Sequence, residues 1–430
     1  VGLIDPAPHL GAIDAELSMN AILLPLVALF SGIGILLVGN GLLGTLLGVR
    51  AVSLGFSVEV TGIIMAAYFA GFIVGSLRCV YLIERAGHIR TFAALASVSS
   101  AVTLAFLLFE SPVAWAVLRA ILGFCFAGLF MVTESWLNER SDNTNRGRVL
   151  SIYMMVTLSS LAIGQPLLLL PNPGQFEIFC IASVLVSLGL VPVTLTMSPA
   201  PAPPRAQPIA LSALYQISPL GFAGCFASGL ALGSFWSMAP VFCRTLGLSE
   251  GATVIFMVVT VLGGLFLLWP IGRLSDRLDR RQVLTFACAG SAAASLTMVL
   301  IGGESVLALF GLAIAFGGFT FPIYSIAVAH TNDYADPEDL VSTSSAMLLV
   351  YGAGAILGPL IAGLIMGWMG SLGLYALLAG VMSVTVVFAL YRMQARAPLP
   401  VEEQASVVLV PRTTHVAYEL DPRAEPTESD

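Results

Sequence analysis

Gly272, Asp276, Arg277, Arg280 and Arg281 fall within one decapeptide, a burst of charge between two long apolar runs. Carboxylate and guanidinium groups this close can exchange partners, so the chemistry on offer is ion pairing made in one conformation and broken in another. Glu84 and Arg85 hold the same place earlier, 276 − 84 = 192 residues upstream of Asp276. A second echo has nearly the same offset: Gly164-Gln165-Pro166 recurs as Gly358-Pro359, with 359 − 166 = 193. The chain therefore reads as a tandem duplication of one membrane unit, and each charged stretch as a latch that pairs with helix ends on the inner face and is remade as the halves rock.

Arg119 stands alone inside an apolar run. A guanidinium in lipid costs about 3 kcal/mol or more unless water, carbonyls or a counter-charge satisfy it. It can meet an anionic or dipolar solute, bidentately where geometry allows, or serve as scaffold by reaching back to the surface. Glu134 closes the same run, where it can carry a proton or pair with Arg85, Arg146 or Arg148. Glu59 and His330, also near helix ends, complete the candidates for proton coupling. Asn40, Gln165, Trp236, Tyr324 and Tyr351 are the amides and aromatics of the central runs, suited to contacting a solute or to packing helices.

Enzymatic chemistry finds no footing. No run carries paired carboxylates, a histidine cluster or His-Glu-x-x-His near its centre. All 18 basic residues are arginine, which excludes P-loop and Schiff-base mechanisms because both need a lysine amine. The six cysteines sit in or at the ends of apolar runs without Cys-x-x-Cys spacing, and read as small membrane hydrophobes. No metal and no cofactor is expected.

The positioning elements follow from composition. A chain of 430 residues that is 57% hydrophobic and 10% charged, with mean hydropathy +0.94, has too much apolar surface for a water-soluble core. Twelve runs reach the roughly 20 residues that a spanning helix needs: 21–47, 57–83, 91–109, 113–137, 149–170, 176–197, 217–243, 250–274, 283–302, 304–330, 341–366 and 371–392. They divide the chain into an N-terminal segment 1–20, a six-helix half 21–197, a Pro-rich connector 198–216, a second half 217–392 and an acidic tail 393–430 expected to be disordered. The first run is too long, and lacks the cationic lead-in, for a cleaved signal peptide.

Arginine placement sets the orientation. With the N-terminus inside, 15 arginines fall on inner loops, inner helix ends or the tail, and two, Arg50 and Arg244, outside. Both termini and the connector are then cytoplasmic. The third, sixth, ninth and twelfth runs lack Trp, Asn, Gln and charge in their bodies. These are expected at the periphery, with the other eight lining a central path.

The charged decapeptide is similar to the G-x-x-x-D-R-x-G-R-R motif of the major facilitator superfamily, matched by Gly272, Asp276, Arg277, Arg280 and Arg281, with Asp279 where glycine is usual. The first copy keeps Arg85 and Gly87, with Glu84 for the aspartate and Val80 for the leading glycine. Arg119 to Gly123 resembles the family's arginine-bearing fourth-helix motif. Glu134-Ser135, Asn145 to Arg148 and Tyr153-Met154-Met155 resemble the YcaD-like branch. The resemblance covers about residues 20–392. It implies an all-α membrane protein of twelve transmembrane helices in two six-helix repeats, a secondary active or facilitative transporter moving a small organic solute across the inner membrane by alternating access. A drug/proton antiporter is one alternative, though the Gly-Pro motif expected in the fifth helix is better matched in the eleventh, by Gly354, Gly358, Pro359 and Gly363. A sensor that keeps the fold without transport is the other. Expected partners are a small-molecule substrate, with or without a proton, and the lipid bilayer; nucleic acid is not expected, and the chain should act as a monomer.

Overall fold

A computed structural model describes residues 9–141, 145–170, 176–195, 211–302, 304–336, 339–395, 399–400, 404, 407 and 411–421, with side chains from Leu26 onward. Its helices are α1 (His9–Ser53), α2 (Val58–Ala86), α3 (His88–Leu108), α4 (Pro112–Glu139), α5 (Arg146–Gly164), α6 (Glu177–Thr194), α7 (Leu211–Ile217), α8 (Pro219–Thr245), α9 (Glu250–Ser275), α10 (Arg280–Ile301), α11 (Val306–Thr320), α12 (Ile323–Asn332), α13 (Leu340–Met369) and α14 (Gly373–Ala395). Twelve stretches are long and apolar enough to cross a membrane, and α11 with α12 form one of them, divided at Phe321-Pro322. Local chemistry fixes the helix starts. Ser57, Ser218, Ser249 and Ser305 each accept a backbone N–H from three residues ahead, and Pro112 and Pro219 occupy first turns where no N–H bond is lost.

Each half has its own core. Phe92, Phe106, Trp115, Phe126 and Phe179 are buried in the first, and Phe235, Phe242, Phe256, Phe316 and Tyr375 in the second. Glycine lets paired helices touch backbone to backbone, and the touching glycines repeat with the sequence. A Cβ on Gly71 would strike Ala120 and one on Gly123 would strike Tyr68, joining α2 to α4; Gly263 against Ile314 and Gly317 against Thr260 join α9 to α11 in the same way. The offsets are 263 − 71 = 192 and 317 − 123 = 194. Likewise Gly41 and Gly164 join α1 to α5, as Gly233 and Gly358 join α8 to α13, with 233 − 41 = 192 and 358 − 164 = 194. The duplication is thus built into the closest helix crossings.

The halves meet at the face opposite the tail. There Gly48 of α1 lies against Pro240 of α8, and Gly62 of α2 against Pro359 and Gly363 of α13. At the tail face, α4 and α13 both pack against a 3-10 turn, His415–Leu420.

Two expectations need revision. Most of the Pro-rich connector lies outside the described residues, but its end is helical: 211–217 holds no proline and buries Leu214. The tail expected to be disordered has an ordered part. Residues 411–421 are in place, with Val416, Ala417, Tyr418 and Leu420 at 0–1% exposure. Those four side chains give the segment apolar area to bury, which an average over the acidic tail hides.

Candidate functional site

A cavity of about 210 Å³ lies between the halves. It is lined by α1, α2, α4, α5, α8 and α13, six of the eight runs expected to be central, and by none of α3, α6, α10 or α14. Asn40, Arg119, Trp236 and Tyr351 are among its walls.

Arg119 supplies the charge. It is 6% exposed, its guanidinium carbon sits 4.6 Å over the ring centroid of Tyr68, and its Nε is buried without a hydrogen-bond partner. No carboxylate among the described residues pairs with it. Asn40 lies beside the Tyr68 hydroxyl. The rest of the wall is mainly apolar, with Phe69, Phe72 and Phe130 adding aromatic faces. Such a site holds one negative group at one end and a flat apolar body at the other.

Gln165 and Tyr324 are placed elsewhere. Gln165 is 1% exposed and joins α1 to the turn after α5: its Nε2 donates to the Gly41 and Leu161 carbonyls, both at 3.1 Å, and its Oε1 accepts from Thr45. That is helix stapling rather than solute contact. Tyr324 packs edge-on to Tyr351 at 5.1 Å and bonds through its hydroxyl to Tyr418, outside the cavity lining.

The floor of the cavity is the tail. Pro411, Arg412 and Thr413 line it, and the Arg412 guanidinium faces the rings of Phe321 and Tyr351 at 5.5 and 5.9 Å. Glu134, fully buried, accepts from the Tyr153 hydroxyl at 2.9 Å and from the hydroxyls of Thr413 and Thr414. Its partners are hydroxyls, not the arginines expected from the sequence. Asn138 donates to Glu419 at 2.8 Å. Burial pushes Glu419 up to about 7 although Asn138 and Arg146 oppose it, and pushes His415 down to about 4.

The other coupling candidates lie apart from the cavity. Glu59 is half-buried at the start of α2, packed beside Gly363 and Gly367 of α13. His330, 6% exposed, stands edge-on to Tyr334 at 5.2 Å on the tail face, within the field of Asp279.

Among the described residues, Arg280 and Arg281 of the latch pair within the second half, and Asp276 reaches the tail. Arg280 and Asp333, side chains 1% and 3% exposed, form an ion pair at 3.2 Å inside the second half. Arg281 pairs with Asp279 at 2.7 Å. Burial opposes ionisation of Asp279, but the Arg281 side chain and backbone amide hold its carboxyl below the usual range. Asp276 accepts the backbone N–H of Val407 at 2.6 Å. Glu84, Arg85 and Arg277 are exposed, and Gly272 is buried beside open space. The physical reason is the tail itself, which supplies the partner of Asp276 and packs against α4, α5 and α13.

Tyr68, Phe72 and the tail residues were not anticipated as cavity walls. Tyr68 carried a signal, as a polar aromatic in the body of a central run; 411–413 carried none.

Two halves of six spanning helices each, repeated about a central cavity, define a membrane carrier architecture. The family model of the Major Facilitator Superfamily matches residues 29–328 and 222–419, and the chain belongs to that family. It is 27% identical over 382 residues to the uncharacterized MFS-type transporter YcaD of Escherichia coli O139:H28, covering 88% of this chain and 98% of the relative. The YcaD of Escherichia fergusonii is 28% identical over 340 residues, covering 78% and 87%. Among solved structures, the nucleoside transporter NupG superposes with a TM-score of 0.70 at 13% identity, covering 88% of this chain and 100% of that one. A bacterial homolog of the human lysosomal transporter Spinster, in an inward-facing and occupied conformation, gives 0.67 at 16%, covering 89% and 98%. The chain is a multi-pass inner-membrane transporter of small solutes, in a family that is not enzymatic.

Proposed function

We propose that the solute is a small organic anion with a flat apolar body, held in the central cavity with its charge on Arg119. One observation carries this: the guanidinium facing the cavity has a tyrosine ring beneath it and, among the described residues, no carboxylate paired with it. A carboxylate would supply the missing counter-charge, and Tyr68, Phe72, Trp236 and Tyr351 would take the body. Glu134 lies behind the cavity wall, one hydrogen bond away through Thr413, so proton carriage, if present, runs through it rather than through Glu59 or His330. Both halves of the chain wall the cavity, so a single copy is taken as the transport unit.

The test compares aromatic carboxylates with their neutral amides by thermal shift of the purified chain. Stabilisation by the carboxylate and not by the amide is expected; equal stabilisation overturns the reading. The arginine bias supports a cytoplasmic tail face, leaving the sealed face outside. A reporter active only outside the cytoplasm, fused after Arg392, is then expected to stay silent; strong activity would reverse the orientation.

A further inference from the structure

We infer that the tail-side mouth of the carrier is a receptor surface for the chain's own C-terminal peptide, residues 411–421, which plugs the solute path and favours the conformer closed at the opposite face.

The contacts are specific and come from both halves. From the first half, Glu134 receives the hydroxyls of Thr413 and Thr414, and Asn138 reaches Glu419. From the second, Tyr324 bonds Tyr418 and the rings of Phe321 and Tyr351 face Arg412. Eight of the eleven residues are buried, among them the polar Thr413, Thr414, Tyr418 and Asp421. Burying polar groups is costly unless they are met, and here a carboxylate meets Thr413 and Thr414, a phenol meets Tyr418 and an amide meets Glu419, while Arg412 Nη1 and His415 Nε2 are buried without a hydrogen bond among the described residues.

The geometry makes the peptide both cork and wedge. As a cork, its Pro411, Arg412 and Thr413 line the tail side of the cavity and narrow the way out past them for a solute bound at Arg119. As a wedge, it touches α4, α5 and α13 where the halves would have to close on each other. A ligand that binds one conformer and is excluded from the other shifts the population by its differential affinity. Its tether after α14 gives it a high effective concentration without further contacts.

The test is limited trypsin digestion of the full chain in detergent, followed by mass spectrometry. Cleavage after Arg412 reports release of the plug, and cleavage after the exposed Arg277 serves as internal reference. Arg412 is expected to be cut slowly in the wild type and about tenfold or more faster in Tyr418→Ala and in Thr413→Val/Thr414→Val, with the Arg277 rate unchanged. These changes lie at the chain's end, and gel filtration checks that the helices remain assembled. In a second arm, Thr157→Cys in the cavity wall is alkylated with a water-soluble maleimide, and Tyr418→Ala is expected to speed it to a similar degree. Equal cleavage at Arg412 in all chains overturns docking. Unchanged alkylation at residue 157 overturns the plug.

Discussion

Replacing Arg119 by glutamine is expected to weaken binding of an aromatic carboxylate about a hundredfold, while its neutral amide binds as before. A charge-assisted hydrogen bond contributes about 1.5–3 kcal/mol, and a bidentate pair in an apolar site reaches the upper end. About 2.8 kcal/mol is a hundredfold in affinity. Glutamine keeps a polar end but neither the charge nor the fork. Lysine keeps the charge as a single point and loses the planar stacking over Tyr68, so Arg119→Lys is expected to fall between, roughly tenfold weaker. Folding and binding separate in this experiment. With the Arg119 Nε buried and unbonded, removing the guanidinium should leave the empty protein as stable or more so. A glutamine variant that is folded and still binds the carboxylate at wild-type affinity would remove Arg119 from the site.

Gly62→Val is expected to force open the face opposite the tail. A Cβ there would lie 2.5 Å from the carbonyl oxygen of Pro359 and 3.3 Å from Gly363 Cα, and neither backbone can give way as a side-chain tip can. Overpacking of this kind costs about 1–3 kcal/mol. The cost applies only while α2 and α13 touch, so it falls on one conformer and converts to a population shift of roughly 5- to 150-fold toward the other. The cavity should then open on the far side: Thr157→Cys, combined with Gly62→Val, should react with an impermeant maleimide added at that face. Gly44 is the control, since a methyl there meets nothing within 4 Å, and Gly44→Ala should leave the pattern unchanged. Reaction from the tail face alone, as in the parent, would show that the Gly62 contact is not a gate.

Helix number, the repeat and the peripheral helices were legible because they depend on local quantities: run length, charge, and residue type at a fixed offset. The same offset recurs in the structure between equivalent close-packed glycines, Gly71 and Gly263 or Gly41 and Gly233, each pressed against its own neighbouring helix. Arg119 could be singled out because an arginine in an apolar run has few places to go. Gln165 looked equally marked, yet its amide is consumed by Gly41, Leu161 and Thr45 on neighbouring turns. Sequence shows that an amide needs partners, not which ones the helix crossing supplies. The tail was illegible for a related reason. Its buried residues Val416, Ala417, Tyr418 and Leu420 sit in a short stretch of an acidic tail, and the receptors for Thr413, Thr414 and Tyr418 lie at Glu134 and Tyr324, 279, 280 and 94 residues away in sequence. The latch reads in sequence as charge that pairs with inner helix ends and is remade as the halves rock; sequence does not show that in this conformation Asp276 accepts a backbone N–H from the tail.

Carriage through the Arg119 cavity is measured most directly by counterflow in proteoliposomes, using the tightest-binding radiolabelled aromatic carboxylate, with the Tyr418→Ala chain run alongside to relieve the plug. Vesicles preloaded with unlabelled carboxylate should take up the label transiently, faster with Tyr418→Ala than with the wild type, and not at all with Arg119→Gln. Uptake that persists undiminished in Arg119→Gln, or a carboxylate that binds the purified chain yet never crosses in either the wild type or Tyr418→Ala, would contradict the account.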